Sequence, residues 1–354
     1  MSIPVFRPSI KRKDMDSVLS CMVSDQLWPG QQNEELITAL LELLDADGGA
    51  ALREPVTAYK AVFHALSLED RPKVALSVLS SVSLYRAICE SGLEPVFLDV
   101  DQGSGLVEEQ VLKDLSQDPS IGALIVNTPL GFVPSYEVLR DLSIPIIEDI
   151  SQGIGGRYTD DVPVGGIGDF IMVGMEPEDV ITAGGGMVVL SRDKKQTKAL
   201  TDAVSDLPQE LYLSDMSAAL GRTQVKELKG FIEKRRELFE TYIRASMRSH
   251  HSTLHQPGES LYVPYGFPVV VRGGMNEPIQ YARKKGVETQ PAYLHSIYQF
   301  LAEKEVLSEE EKEALPRKFP GASALQLSTL LFPLYPALTG KEFEIIQKVL
   351  VTLP

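Results

Sequence analysis

The chain has 354 residues, 44% hydrophobic and 23% charged, enough for about two domains and too apolar for a disordered or collagen-like polymer. Its formal charge of −15 comes with no basic stripe, which excludes nucleic acid as a partner, and the acidic surplus reads as a solubility feature in preference to a cationic ligand. Two cysteines, Cys21 and Cys89, exclude a disulfide framework and a zinc-type spacing, and the lack of an apolar leader or of a window of roughly eighteen apolar residues gives a cytoplasmic expectation with no membrane contact.

From Lys73 to Val189 short apolar runs alternate with amphipathic stretches, the pattern of βαβ units around a parallel sheet. The runs 73–79, 95–100, 123–128, 145–149, 169–174 and 186–191 are rich in Val, Ile and Leu, end at Gly, Pro, Asp or Ser, and are predicted strands. Residues 83–92 and 135–143 carry helical spacing and suit crossover helices. A long helix is predicted over about 214–247, opened by Ser214 and Asp215 as capping residues. Beyond it, 261–272 alternates like a strand pair, 278–286 reads as a helix stopped by glycine, the acidic run 308–314 as a solvated helix face, and 340–353 as a closing helix. The expectation is α/β: a large α/β/α domain over 1–240 with a mostly parallel sheet, and a small α+β domain over 241–354. An open sheet of this kind binds ligands at the carboxyl ends of its strands.

Seven stretches, in collinear order, resemble the DegT/DnrJ/EryC1/StrS family of aminotransferases, which use pyridoxal phosphate (PLP) on nucleotide-linked keto-sugars. They are LWPG (27–30), SGLEPVFLDVD (91–101), IEDISQGIGGRY (147–158), VGGIGDF with TAGGGMVVLS (164–170 and 182–191), SDMSAALGRTQVKEL (214–228), KKGVETQPAYLH (284–295) and LSTLLFPLYPALTGKEF (327–343). The resemblance implies the fold-type-I PLP-transferase architecture and a homodimer, or a heterodimer with an active paralogue. It places Asp149 opposite the pyridine nitrogen, Gln152 at the ring hydroxyl, Thr57 at the phosphate and His295 beside the sugar. On the residues alone, Asp149 is equally a strand-end carboxylate capping a turn, and Gln152 a loop contact.

The chemistry needs a lysine to condense with the cofactor aldehyde and shuttle protons. Counting from Gly168 and Asp169 puts that position on Asp179, and counting back from Gly185 and Gly186 puts it on Glu178. Neither can form a Schiff base, and no lysine lies between Arg157 and Arg192. Only an unexpected register would bring in Lys60 or Lys73. The family's phosphate-binding Gly-Thr falls on Val56 and Thr57, its serine on Val173 or Gly174, and its cross-subunit Asn-Tyr-Arg on Glu210, Leu211 and Tyr212. Leu79 and Ser81 stand where an aromatic stacks on the ring, with Tyr85 as a packing residue. Carboxylates beside a dianionic phosphate would cost about 1 to 4 kcal/mol per pair at ~4 Å. The expectation is therefore no cofactor, with PLP only if the site functions after all, and a role as a pseudoenzyme, a partner subunit or a nucleotide-sugar binder. The alternative is an active aminotransferase or dehydratase with an atypical site. His250, His251 and His255 lack metal-ligand spacing, and Gly153, Gly155 and Gly156 follow a strand end as turn glycines instead of opening a dinucleotide-binding helix.

Overall fold

The computed structural model describes residues 2–25, 27–303 and 307–354. The large sheet contains β1 (Gly48–Leu52), β2 (Lys73–Ser77), β3 (Glu94–Leu98), β4 (Ile121–Asn127), β5 (Ile146–Asp149), β6 (Phe170–Gly174) and β7 (Met187–Ser191), in the order β1-β7-β6-β5-β4-β2-β3. Only β7 runs against the others, pairing antiparallel with β1 and β6. The six predicted strands are present within a few residues of their expected ends. β1 was not predicted, because its Gly-Gly-Ala-Ala-Leu sequence lacks the β-branched residues that mark a strand.

The chain runs from β2 outward to β3 and then returns past β2 to β4. That reversal leaves a crevice at the carboxyl ends of β2 and β4, flanked by the ends of β5 and β6. Helices 82–90 and 136–140 follow the predicted crossovers in shortened form.

The helix Asp215–Ser246 joins two apolar cores. Its Leu228, Phe231 and Ile232 pack in the first, around the large sheet, and its Leu238, Phe239, Tyr242 and Ala245 in the second. Ser214 caps it as expected, accepting from the Ser217 N–H at 3.3 Å. Asp215 does something else: 1% exposed, it accepts from the backbone N–H groups of Gly30 (2.8 Å), Gln32 (3.2 Å) and Asn33 (3.0 Å), capping the neighbouring helix Gln31–Leu44 from outside.

The second core surrounds a smaller antiparallel sheet of β8 (Ser252–Thr253), β9 (Phe267–Val270), β10 (Gln290–Pro291) and β11 (Thr329–Phe332), in the order β10-β11-β9-β8. Here one expectation is corrected. Residues 261–272 supply one strand, β9, whose partners are β11 and β8. The preceding residues are extended but turn to the large sheet's loops: Leu261 and Arg157 exchange backbone hydrogen bonds, and Tyr265 N–H donates to the Leu130 carbonyl. The helices Asn276–Lys284, Glu309–Lys318 and Gly340–Val351 match expectation, with Gly286 at φ +80° ending the first. The N-terminal segment crosses to this core: Ile3 is buried in it and bridges Val287, and Tyr335 donates to the Pro4 carbonyl at 3.2 Å. Residues 293–303 and 307–325 pass the other way and pack Tyr293, Ile297 and Leu325 on the first core. No helix among the described residues is long and apolar enough to cross a membrane.

Candidate functional site

A cleft of about 410 Å³ opens at the crevice, lined by the ends of β2, β4, β5 and β6, the loop after β6, and the segment 292–296. Consecutive residues of a strand face opposite ways, and β5 uses this to separate Glu148 from Asp149. Glu148 is 1% exposed and accepts from the Tyr158 hydroxyl (2.6 Å) and from the N–H groups of Gly165 (3.0 Å), Ile167 (2.9 Å) and Gly168 (2.5 Å), pinning the loop before β6. Asp149 turns to the cleft. Its Oδ2 accepts from the Tyr59 hydroxyl at 2.7 Å and Asn127 Nδ2 at 3.3 Å, and its Oδ1 from the Ser151 N–H at 3.1 Å and hydroxyl at 2.5 Å. An ionised carboxylate has about four acceptor sites, so these donors fill it. Burial first, and then the charge of Asp149, push the Tyr59 phenol well above its ordinary pKa, keeping it a donor.

The β6–β7 loop folds back on the Met175 carbonyl, which accepts from Ala183 N–H (3.0 Å), Gly185 N–H (2.9 Å) and Thr182 Oγ1 (3.1 Å). Gly184, Gly185 and Gly186 close the turn at φ +78°, +132° and +107°, a run that side chains would strain. Within the loop, Asp179 Oδ2 accepts from the Glu176 N–H at 2.8 Å and lies against Gly174, where an added Cβ would sit 2.5 Å from that oxygen and 2.6 Å from Ser151 Oγ. Of the two registers, Asp179 is thus the carboxylate packed beside the Asp149–Ser151 pair, and Glu178 is the exposed one, though both line the cleft. Burial, followed by the charges of Asp149, Glu176 and Glu178, raises the Asp179 carboxyl well above the usual range, against the opposing Glu176 N–H bond.

The other expected residues divide. Gln152 lines the cleft, but its Oε1 accepts from the Leu130 N–H at 2.7 Å, the loop contact, and holds Leu130 at φ +55°. Thr57 lies apart: its hydroxyl donates to Glu54 at 2.8 Å at the start of helix Pro55–Leu66, and the residue is not among those lining the cleft. His295 lines the cleft, exposed and at φ +65°, with its N–H on Gln299 at 2.9 Å. Leu79 and Ser81 line it, whereas Tyr85 packs against Phe97 and Phe300. Lys60 pairs with Glu90 and Lys73 with Asp118; neither lines the cleft, because Lys73 begins β2 and the cleft lies at its far end. Among the described residues no His, Cys, Asp and Glu group could hold a metal ion.

The profile of the DegT/DnrJ/EryC1/StrS aminotransferase family matches residues 8–350. The chain belongs to this family. It is 24% identical over 263 residues, 69% of each chain, to a UDP-4-amino-4,6-dideoxy-N-acetyl-beta-L-altrosamine transaminase of Campylobacter jejuni. In fold it is similar to the putative sugar aminotransferase Spr1654 of Streptococcus pneumoniae in its PLP form (TM-score 0.85, 18% identity, 100% of this chain and 98% of that one). It is equally similar to PseC of Helicobacter pylori, an aminotransferase involved in pseudaminic acid biosynthesis (TM-score 0.85, 20% identity, 100% and 99%).

Measured against that family's cofactor, the residues present do not fit. PLP asks for an amine at its aldehyde, positive groups at its phosphate and a free carboxylate oxygen at its pyridinium. Among the described residues the cleft lining contains no lysine or arginine, presents Glu176, Glu178 and Asp179, and offers an Asp149 already filled by four donors. Tyr59 and Ser151 were missed by sequence reasoning. A tyrosine in an amphipathic helix reads as core, and Tyr59 is indeed only 1% exposed, so no local signal marks its hydroxyl as a ligand of Asp149.

Proposed function

We propose that this chain is a non-transaminating member of the DegT/DnrJ/EryC1/StrS family, a pseudoenzyme whose cleft binds a small sugar-like ligand without forming a Schiff base. The observation that carries this reading is the complete occupation of Asp149 by Tyr59, Asn127 and Ser151, together with a carboxylate at both candidate lysine positions. The polar lining, with Ser77 and Asn127 at the strand ends and Ser80, Ser81 and Ser83 at the start of helix 82–90, suits a polyhydroxylated ligand. A nucleotide-linked sugar, the class named for the C. jejuni relatives, would enter by its sugar end, since no lysine or arginine among the described lining residues meets a diphosphate. We place the protein in the cytoplasm as a dimer, with itself or with an active paralogue.

The test is spectroscopic. Purified protein mixed with PLP is expected to show no internal-aldimine absorbance and no borohydride-fixed pyridoxyl group. Glu178→Lys alone is expected to leave both unchanged, because Asp149 stays filled and no lysine or arginine among the described lining residues meets the phosphate. An aldimine band in the unmodified protein overturns the reading.

A further inference from the structure

The geometry points to the segment 292–296, one wall of the cleft, as a hinged strap with an open and a closed position. The inference concerns access to the cleft and holds whatever ligand the cleft takes. The strap crosses from one core to the other. At its start the Ala292 N–H donates to the carbonyl of Thr329, the first residue of β11, at 2.9 Å. At its end Ser296 bridges Ser81, and the N–H groups of Ile297 and Tyr298 donate to the carbonyls of Ser80 (2.9 Å) and Val78 (2.8 Å), just beyond β2. Between these ties the backbone is held only locally: the Leu294 N–H donates to the Pro291 carbonyl at 3.3 Å and the His295 N–H to Gln299 Oε1 at 2.9 Å.

Two residues of the strap hold this position at a cost. His295 sits at φ +65°, in the left-handed region that a residue other than glycine occupies only under restraint. Tyr293 is 6% exposed, and its hydroxyl is buried with no hydrogen-bond partner among the described residues. That hydroxyl lies against Gly105, where an added Cβ would sit 2.3 Å from it. Gly105 belongs to the adjoining wall of the cleft. The strap therefore meets that wall by packing alone, with an unpaired donor in the contact. Buried phenols normally find a partner, and leaving one without it is destabilising.

What closes the strap is the Tyr293 ring, which joins Ile297 and Leu325 in the first core. Burial of the ring favours closure, whereas the backbone of His295 and the unpaired hydroxyl oppose it, and these effects are of the same order. Opposed contributions of similar size make an element with two positions. On opening, the Tyr293 hydroxyl reaches water and His295 leaves the left-handed region, while the ties to Thr329, Ser80 and Val78 stay as hinges. The adjoining wall does not follow. It is fixed by Asp101, which accepts from the N–H groups of Gly103 (2.9 Å) and Ser104 (2.8 Å), and by Asp99, which accepts from the N–H groups of Gly321 and Ala322, both at 2.9 Å.

Hydrogen exchange of the full chain, followed by mass spectrometry, reads the opening of the strap. In the unmodified chain the amides of 292–296 are expected to exchange at least about tenfold faster than those of β6, which open only with the whole fold. Tyr293→Phe keeps the ring and removes the unpaired hydroxyl, so it favours the closed position and is expected to slow exchange across 292–296 by about tenfold. His295→Asn, a residue at ease in the left-handed region, is expected to slow it in the same direction. Exchange of 292–296 no faster than that of β6 overturns the inference, because the strap then opens only on unfolding. Exchange not slowed in Tyr293→Phe overturns it as well. Should that variant fail to fold, His295→Asn decides by the same criterion. None of these outcomes bears on whether the chain forms an aldimine with PLP, so the non-transaminating reading stands or falls separately.

Discussion

The Tyr59 hydroxyl donates to Asp149 Oδ2 across 2.7 Å, joining the helix Pro55–Leu66 to the end of β5 at the floor of the cleft. A hydrogen bond to a charged, sheltered acceptor contributes about 1.5 to 3 kcal/mol. Tyr59→Phe keeps the ring and removes only that bond, so it is expected to lower stability by that amount. Urea unfolding is the measurement: the midpoint falls while the slope stays constant. An unchanged midpoint would mean that the pair adds nothing to the fold.

Asp179 makes the stability depend on pH in a direction opposite to that of a salt-bridged aspartate. Burial and then the charges of Asp149, Glu176 and Glu178 hold its carboxyl above the ordinary range, so the folded state keeps the proton after the unfolded state, near pH ~3.9, has lost it. Its contribution is complete below that value and is lost as pH rises through the folded-state pKa. Asparagine has no proton to lose. The stability of the unmodified chain relative to Asp179→Asn is therefore expected to fall from about pH 4 upward and to level off once Asp179 is ionised. Urea midpoints of the two proteins across that range check it; a relative gain with pH would contradict the assignment.

Gly174 gives the Asp179 carboxylate its room. Gly174→Ala would place a methyl 2.5 Å from Asp179 Oδ2 and 2.6 Å from Ser151 Oγ. Crowding of this kind costs about 1 to 3 kcal/mol. Combining it with Asp179→Ala is expected to recover part of the loss, and a double-mutant cycle of unfolding free energies reads the coupling. Strict additivity would show that the two residues do not meet.

The sequence displayed the fold best where strands are buried on both faces, as in Ile121–Asn127 and Phe170–Gly174, because the apolar runs there are continuous. It displayed it worst where small residues do the work, as in Gly48–Leu52, and where an alternating stretch serves a loop, as at Leu261–Tyr265. For the site, motif order located Asp149, Gln152, Glu178, Asp179 and His295 on one cleft. What those side chains bind was hidden: Asp149 meets Tyr59 ninety residues away, and Asp215 caps a helix more than 180 residues earlier. Such partners are set by tertiary packing, which leaves no local pattern. Thr57 shows the converse, a motif residue whose hydroxyl is taken by its helical neighbour Glu54.

The bridge between Ile3 and Val287 has a consequence for the order in which the molecule is made. The large sheet is complete once Ser191 has emerged, and every one of its strands lies within the first part of the chain. Ile3 precedes that sheet in the chain, whereas Val287, Leu330 and Ile346, which share its apolar core, all follow it. During synthesis the segment around Ile3 therefore stays unshielded until residues made after the large sheet come to cover it.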